Sequence, residues 1–174
     1  MMASRIPTER LELVSLDPTF LAAWLAGEPL PDLGFADPAG FLVGAEDVVR
    51  LRLDQLKVEP GIAPWLLRAI VQRADRVAVG FIGFHAAPDE RGMVEIGYEV
   101  LPAFRRRGYA TEAVGALMKR AARQGAQVVR ACVSPANAAS LATLARHGFV
   151  LVGEQLDDED GRELVFEKRL VELR

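Results

Sequence analysis

The residues best equipped for chemistry lie in one run, Arg105-Arg106-Arg107-Gly108-Tyr109-Ala110-Thr111-Glu112. The run follows a strand-like stretch and opens a helix-like one. The first amides of a helix have no internal partner and sit at the positive end of its dipole. Gly108 and the small Ala110 let a ligand approach the backbone, and the arginines add fixed charge. Such a helix start suits a pyrophosphate or another multi-oxygen anion. Two familiar phosphate loops are unsupported, because the chain has no G-x-x-x-x-G-K-[ST] and no G-x-G-x-x-G after a strand.

The elements that must hold this run can be read from apolar periodicity. Residues 10–14 alternate as a strand, and Asp17-Pro18 starts a helix that Gly27 ends. Residues 29–44 form an irregular Pro- and Gly-rich connection, and 46–57 a second helix with Val49, Leu53 and Leu56 on one stripe. Strands follow at 66–72 and 77–85 across the turn 73–76, and at 93–100 after the turn 89–92. A long helix over 110–124 carries Ala113, Val114, Leu117, Met118 and Ala121 on one face, with Gly125 as its cap. Residues 126–133 read as a strand and 138–147 as a short helix ending at Gly148. Segments 149–153 and 163–170 bracket the turn 157–161 as a last hairpin. Strand, helix and strand over 94–133 force a parallel pair with a right-handed crossover, while the hairpins are antiparallel. The expected fold is therefore α/β, a mixed and mostly antiparallel sheet flanked by helices. With no repeat or linker, residues 1–174 read as one domain.

Composition narrows the class. The chain has 174 residues, 51% apolar and 26% charged, as in a compact globule. One cysteine and two histidines exclude an internal disulfide and zinc-finger spacings, and no metal is expected. The apolar runs at 20–26 and 77–84 are far short of the roughly 20 residues a membrane helix needs. With Pro7, Thr8 and Glu9 breaking any leader, the expectation is a cytoplasmic protein without a membrane partner. Net charge is only −3, which argues against nucleic acid. Between Ala103 and Arg130, however, seven cations face Glu112 alone, a local patch suited to a small anion.

Arg105-x-x-Gly108-x-Ala110 resembles the Q/R-x-x-G-x-G/A signature of the GNAT superfamily of N-acetyltransferases. Its context, Glu95-Ile96-Gly97-Tyr98 before and Ala110-Thr111-Glu112-Ala113 after, is similar to the ribosomal-protein N-acetyltransferase branch. Asn137-Ala138-Ala139-Ser140-Leu141 with Arg146-His147-Gly148-Phe149 resembles the N-x-x-S…G-F element that ends the family domain. The resemblance implies acetyl-CoA as donor and a sheet whose strands at 94–100 and 126–133 splay for the pantetheine arm. It implies that Val100 offers backbone hydrogen bonds to pantetheine. It also implies that Arg106, Arg107, Gly108, Tyr109, Ala110 and Thr111 wrap the pyrophosphate behind Arg105, and that Asn137 reaches the pantetheine. A homodimer is compatible with it.

The implied reaction is aminolysis of a thioester, which needs a neutral amine, donors for the oxyanion and a proton for the thiolate. Glu95, on the splayed strand, is the candidate base, directly or through water. Ser140 is the candidate acid, because the tyrosine many family members place near the end of the short helix is replaced here by Ala145, Arg146 and His147. His147 reads as a helix-end or packing residue, His85 as structural, and Cys132 as a buried small hydrophobe. The acceptor stays open between a protein N-terminus and a small amine. Six carboxylates between Glu154 and Glu163 suggest a cationic one. A non-catalytic acyl-CoA-binding module is the alternative.

Overall fold

A computed structural model describes residues 4–37, 40–158 and 161–170. Its eight-stranded sheet has the order β1-β2-β3-β4-β5-β6-β8-β7. The strands are β1 (Arg5–Pro7), β2 (Leu11–Ser15), β3 (Arg68–Gln72), β4 (Val77–Phe84), β5 (Met93–Val100), β6 (Val128–Val133), β7 (Val150–Asp157) and β8 (Gly161–Arg169). All neighbours are antiparallel except β5 and β6. The mixed sheet expected from the sequence is thus present.

Helices α1 (Pro18–Ala26) and α2 (Glu46–Val58) pack on one face through Phe20, Leu21, Val49, Leu53 and Leu56, against Ala69, Val71 and Ala78. Asp17 caps α1 by accepting the Phe20 amide at 2.9 Å, and Gly27 closes it at φ 66°. Helix α3 (Tyr109–Arg123) covers the other face, burying Ala113, Val114, Leu117 and Ala121 against Leu11, Leu13, Ile70, Val79 and Ile82. Helix α4 (Ala138–Arg146) follows β6. His147, just past its end, lies with Nε2 2.7 Å from the Thr111 carbonyl and so ties α4 to α3.

Two elements depart from the expectation. Strand β1 was not foreseen, since three residues ending in Pro7 form a strand only by pairing with β2. Strand β7 runs past Gly153 to Asp157, because its ladder with β8 continues beyond an irregularity between Leu151 and Gly153. Among the described residues no helix is long and apolar enough to cross a membrane.

Candidate active site

Strands β5 and β6 pair only at Met93–Val128, Val94–Val129 and Glu95–Arg130. Beyond that they part, while β5 stays on β4 as far as Val100 and β6 on β8 as far as Val133. The bonds from the His85 amide to the Glu95 carbonyl (2.8 Å) and from the Leu101 amide to the Val79 carbonyl (2.9 Å) turn the odd-numbered residues of β5 toward β4. By the alternation of an antiparallel ladder, the peptide groups of Ile96, Tyr98 and Val100 face the opening. Two cavities, of about 690 and 640 Å³, meet at this slot, and Tyr98, Asn137 and Ser140 line both.

The larger cavity is the basic one. Val100, Arg105, Arg106, Gly108, Tyr109, Ala110 and Thr111 line it. Arg106 (φ 62°) and Gly108 (φ 77°) are both left-handed, which bends the loop sharply into the helix. Helix α3 starts at Gly108 without a side-chain cap, so its first amides keep their donors for a ligand. Three expected contributors are diverted wholly or in part. The Val100 carbonyl accepts Arg105 Nε at 2.8 Å, leaving the Val100 amide for the slot. Tyr109 is buried with its hydroxyl taking a bond from Gln72 Nε2 at 3.0 Å, so only its backbone serves the cavity. Arg107 is not among the lining residues; it donates to the Ala103 carbonyl at 3.2 Å and lies over the Phe104 ring.

Arg146 supplies a cation that the sequence reading passed over. Asn137, Ser140, Thr143 and Arg146 recur every three residues and all line the basic cavity. That spacing was a signal available in the sequence. Asn137 also caps α4, its Oδ1 accepting the Ser140 amide at 3.1 Å. The Ser140 hydroxyl makes no bond back to its own helix among the described residues. Beside it and Thr143 lies the buried Tyr98 hydroxyl, whose pKa burial raises while its contacts with Ser140 and Thr143 lower it.

Arg52, Glu95, Asp157 and Glu163 give the smaller cavity mixed charge, and His85 lines it beside them. Glu95 Oε1 lies 3.3 Å from His85 Nδ1. The hydrogen bond from His85 holds the Glu95 carboxyl below its usual range, with Cys132 and the charge of Arg130 helping against burial. Gly97 makes room for this pair, since a Cβ there would lie 2.8 Å from His85 Nε2. Two readings are corrected here. His85 is part of the cavity wall rather than only structural, and Cys132 is half-buried and lines the same wall. Burial, then the charge of Glu95, pushes the Cys132 thiol up to about 12, so it stays protonated. Of the acidic hairpin, Asp157 and Glu163 line the cavity, and Glu154 is taken up by Arg162 at 2.6 Å. Glu159 and Asp160 lie outside the described residues.

A mostly antiparallel sheet, slit at its one parallel pair and facing an uncapped helix start, is the architecture of an acetyltransferase fold. Residues 42–150 match the family model described as the acetyltransferase (GNAT) domain, and the chain belongs to that family. A curated relative, the uncharacterised N-acetyltransferase YjdG of Bacillus subtilis (strain 168), is 36% identical over 92 residues, 52% of this chain and 53% of the relative. The chain thus spans about half the length of that relative. Among solved structures, one of Bordetella pertussis assigned to the GNAT-family acetyltransferases is 26% identical, with a TM-score of 0.66 over 95% of this chain and 99% of that one. A ribosomal L7/L12 α-N-protein acetyltransferase in complex with coenzyme A is 19% identical, with a TM-score of 0.68 over 96% and 98% of the two chains. That last likeness is one of fold.

Proposed function

We propose that the chain transfers an acetyl group from acetyl-CoA to a primary amine, by direct attack of the amine on the thioester. One observation carries the reading: a slot edged by unpaired peptide groups joins a basic cavity at an uncapped helix start to a second cavity that holds a carboxylate. The residues present fit the donor. Arg105, Arg106 and Arg146 offer cations, the first amides of α3 offer donors for the phosphates, and the Val100 amide and Asn137 would hold the pantetheine arm.

Acetyl-CoA supplies an activated acyl group when bound. The unpaired amides of β5 give donors for the carbonyl oxygen as charge develops on it, an effect typically worth about 3 kcal/mol of barrier. Glu95, directly or through water, takes the proton that the ammonium must lose before its nitrogen attacks. As the C–N bond forms and the C–S bond breaks, the electron pair stays on sulfur and takes a proton from the Ser140 hydroxyl, while the surplus proton on the new amide nitrogen leaves through water and restores Ser140. The Tyr98 hydroxyl stands beside Ser140 and helps relay that proton. The acceptor is a small amine or a protein N-terminus, with Asp157 and Glu163 favouring its ammonium form on entry. A cytoplasmic location belongs to the same reading. So does a homodimer, supported by the exposed Val150, Leu151, Val152 and Leu156 on the edge strand β7.

Thiol release from acetyl-CoA with a panel of primary amines tests the reading. Wild type should turn over, and Ser140→Ala should lower kcat at least tenfold with little change in acetyl-CoA binding. Tyr98→Phe should also lower kcat, by less than Ser140→Ala, with acetyl-CoA binding little changed. Binding of acetyl-CoA, read as a melting shift, without any thiol release would leave a non-catalytic acyl-CoA module.

A further inference from the structure

Arg52 stands on α2 and is only 7% exposed, yet it lines the smaller cavity. Its Nη1 donates to the His85 carbonyl at 3.1 Å and to Gln55 Oε1 at 3.0 Å. Gln55 Nε2 donates to the same carbonyl at 2.9 Å, so one nitrogen of Arg52 belongs to a clamp between α2 and the end of β4. Nε and Nη2 have no protein partner among the described residues, and neither is sealed away as a buried orphan. No carboxylate of the described residues comes within 4.0 Å of the guanidinium.

A guanidinium withdrawn from water without an ion pair is costly unless something supplies the missing charge. Arg68, the other buried arginine without an ion pair, gives both Nη atoms to the backbone carbonyls of Ser4 and Pro64 and lines neither cavity. Arg52 instead lines the cavity with two of its nitrogens unspent on protein partners among the described residues. Across that space stands Glu95, whose charge offsets part of the burial penalty on Arg52, so a cationic and an anionic subsite adjoin.

We infer that Arg52 binds a carboxylate of the acceptor, and that the preferred acceptors carry a primary amine and a carboxylate close together. This rests on the transferase reading and adds the substrate class to it. A planar fork of donors matches a carboxylate in two-point contact, which makes the recognition specific as well as attractive. The ammonium then lies toward Glu95, Asp157 and Glu163, and the carboxylate toward α2.

The test compares kcat/KM for a set of free L-amino acids with that for their carboxamides, which keep the amine and lose the charge. Short peptides with and without an acidic second residue form a second arm, separating a free amino acid from a peptide N-terminus as the source of the carboxylate. Wild type should favour the charged member of at least one arm tenfold or more, and Arg52→Met should bring that ratio to about one. Arg52→Lys, which keeps a charge but not the fork, should fall between and serves if Arg52→Met no longer shows a melting shift with acetyl-CoA. An active wild type without preference, or a variant that lowers both members alike, overturns the inference and leaves Arg52 as a clamp. A wild type silent toward every amine would overturn the transferase reading, and this with it.

Discussion

Glu95 owes its ionisation chiefly to His85, whose hydrogen bond outweighs the effect of burial and holds the carboxyl below the reference value of 4.5. Three consequences follow from that sign. Under the proposed mechanism Glu95 is the base and is deprotonated throughout the neutral range, so the acid limb of kcat/KM should lie below the ordinary carboxylate value. His85→Ala removes the largest stabiliser of the carboxylate and leaves burial in place, so the limb should move upward in pH. Gly97→Ala, which drives the imidazole from its place, should move it the same way. A pH–rate profile of the three proteins is the measurement, and identical limbs would mean that another group titrates. The pair also touches stability. A depressed carboxyl pKa stabilises the fold above the unfolded-state value, and the contribution is lost as pH falls through the folded one.

The start of helix α3 depends on an anchor outside its own sequence. Glu112, in the first turn of α3, accepts the Thr8 hydroxyl at 2.5 Å, the Arg10 amide at 2.7 Å and Arg10 Nε at 2.8 Å. Arg10 also reaches the Arg107 carbonyl at 2.8 Å and lies over the Tyr109 ring, so the turn after β1 braces the whole loop. Glu112→Ala should destabilise the fold by about 1–3 kcal/mol, with Arg10 half-exposed keeping the value toward the lower end. It should also weaken acetyl-CoA binding. Burial would raise the Glu112 pKa, but the bonds from Thr8 and Arg10 outweigh it and lower the value. The stability gap between wild type and variant, read by urea denaturation, should therefore be full at pH 7 and close as pH falls below the carboxylate range. The loop and helix were legible in the sequence because their signals are local: a glycine at the turn, small residues at the start and an apolar stripe behind. Helix α1 was legible for the same reason, with Asp17 before it and Gly27 after. Strand β1 was not, since Arg5–Pro7 becomes a strand only on pairing with β2, beside which Arg5 and Arg76 close on Glu12 at 2.6 and 2.7 Å. Nor were Arg52, His85 and Cys132 as one wall, for they come from α2, the end of β4 and β6, and nothing in their local sequence refers to the others. Arg146 had a readable spacing, but a cation in the last turn of a helix is equally explained by the dipole.

Among the described residues, the three-residue pairing of β5 with β6 is all the ladder that joins the β1–β5 part of the sheet to the β6–β8 part. The contact of His147 with Thr111 adds a second tie, from α4 to α3. If the donor lies in the slot, the amides of Ile96, Tyr98 and Val100 should exchange with solvent deuterium quickly in the free protein and slow markedly at saturating acetyl-CoA. Amides on the β3–β4 ladder should change far less, and uniform slowing or none would place the donor elsewhere. An open slot also has a cost when it is empty. A sheet ordinarily presents two rims, here β1 and β7, and both can be blunted by charge or twist. This one has two more, facing each other across its middle, where blunting them would destroy their use. Any extended stretch of chain that reaches the gap meets a template ready on both sides, so the empty protein is exposed to trapping unfolded segments, its own or a neighbour's. The donor that makes the protein useful would also keep it clean.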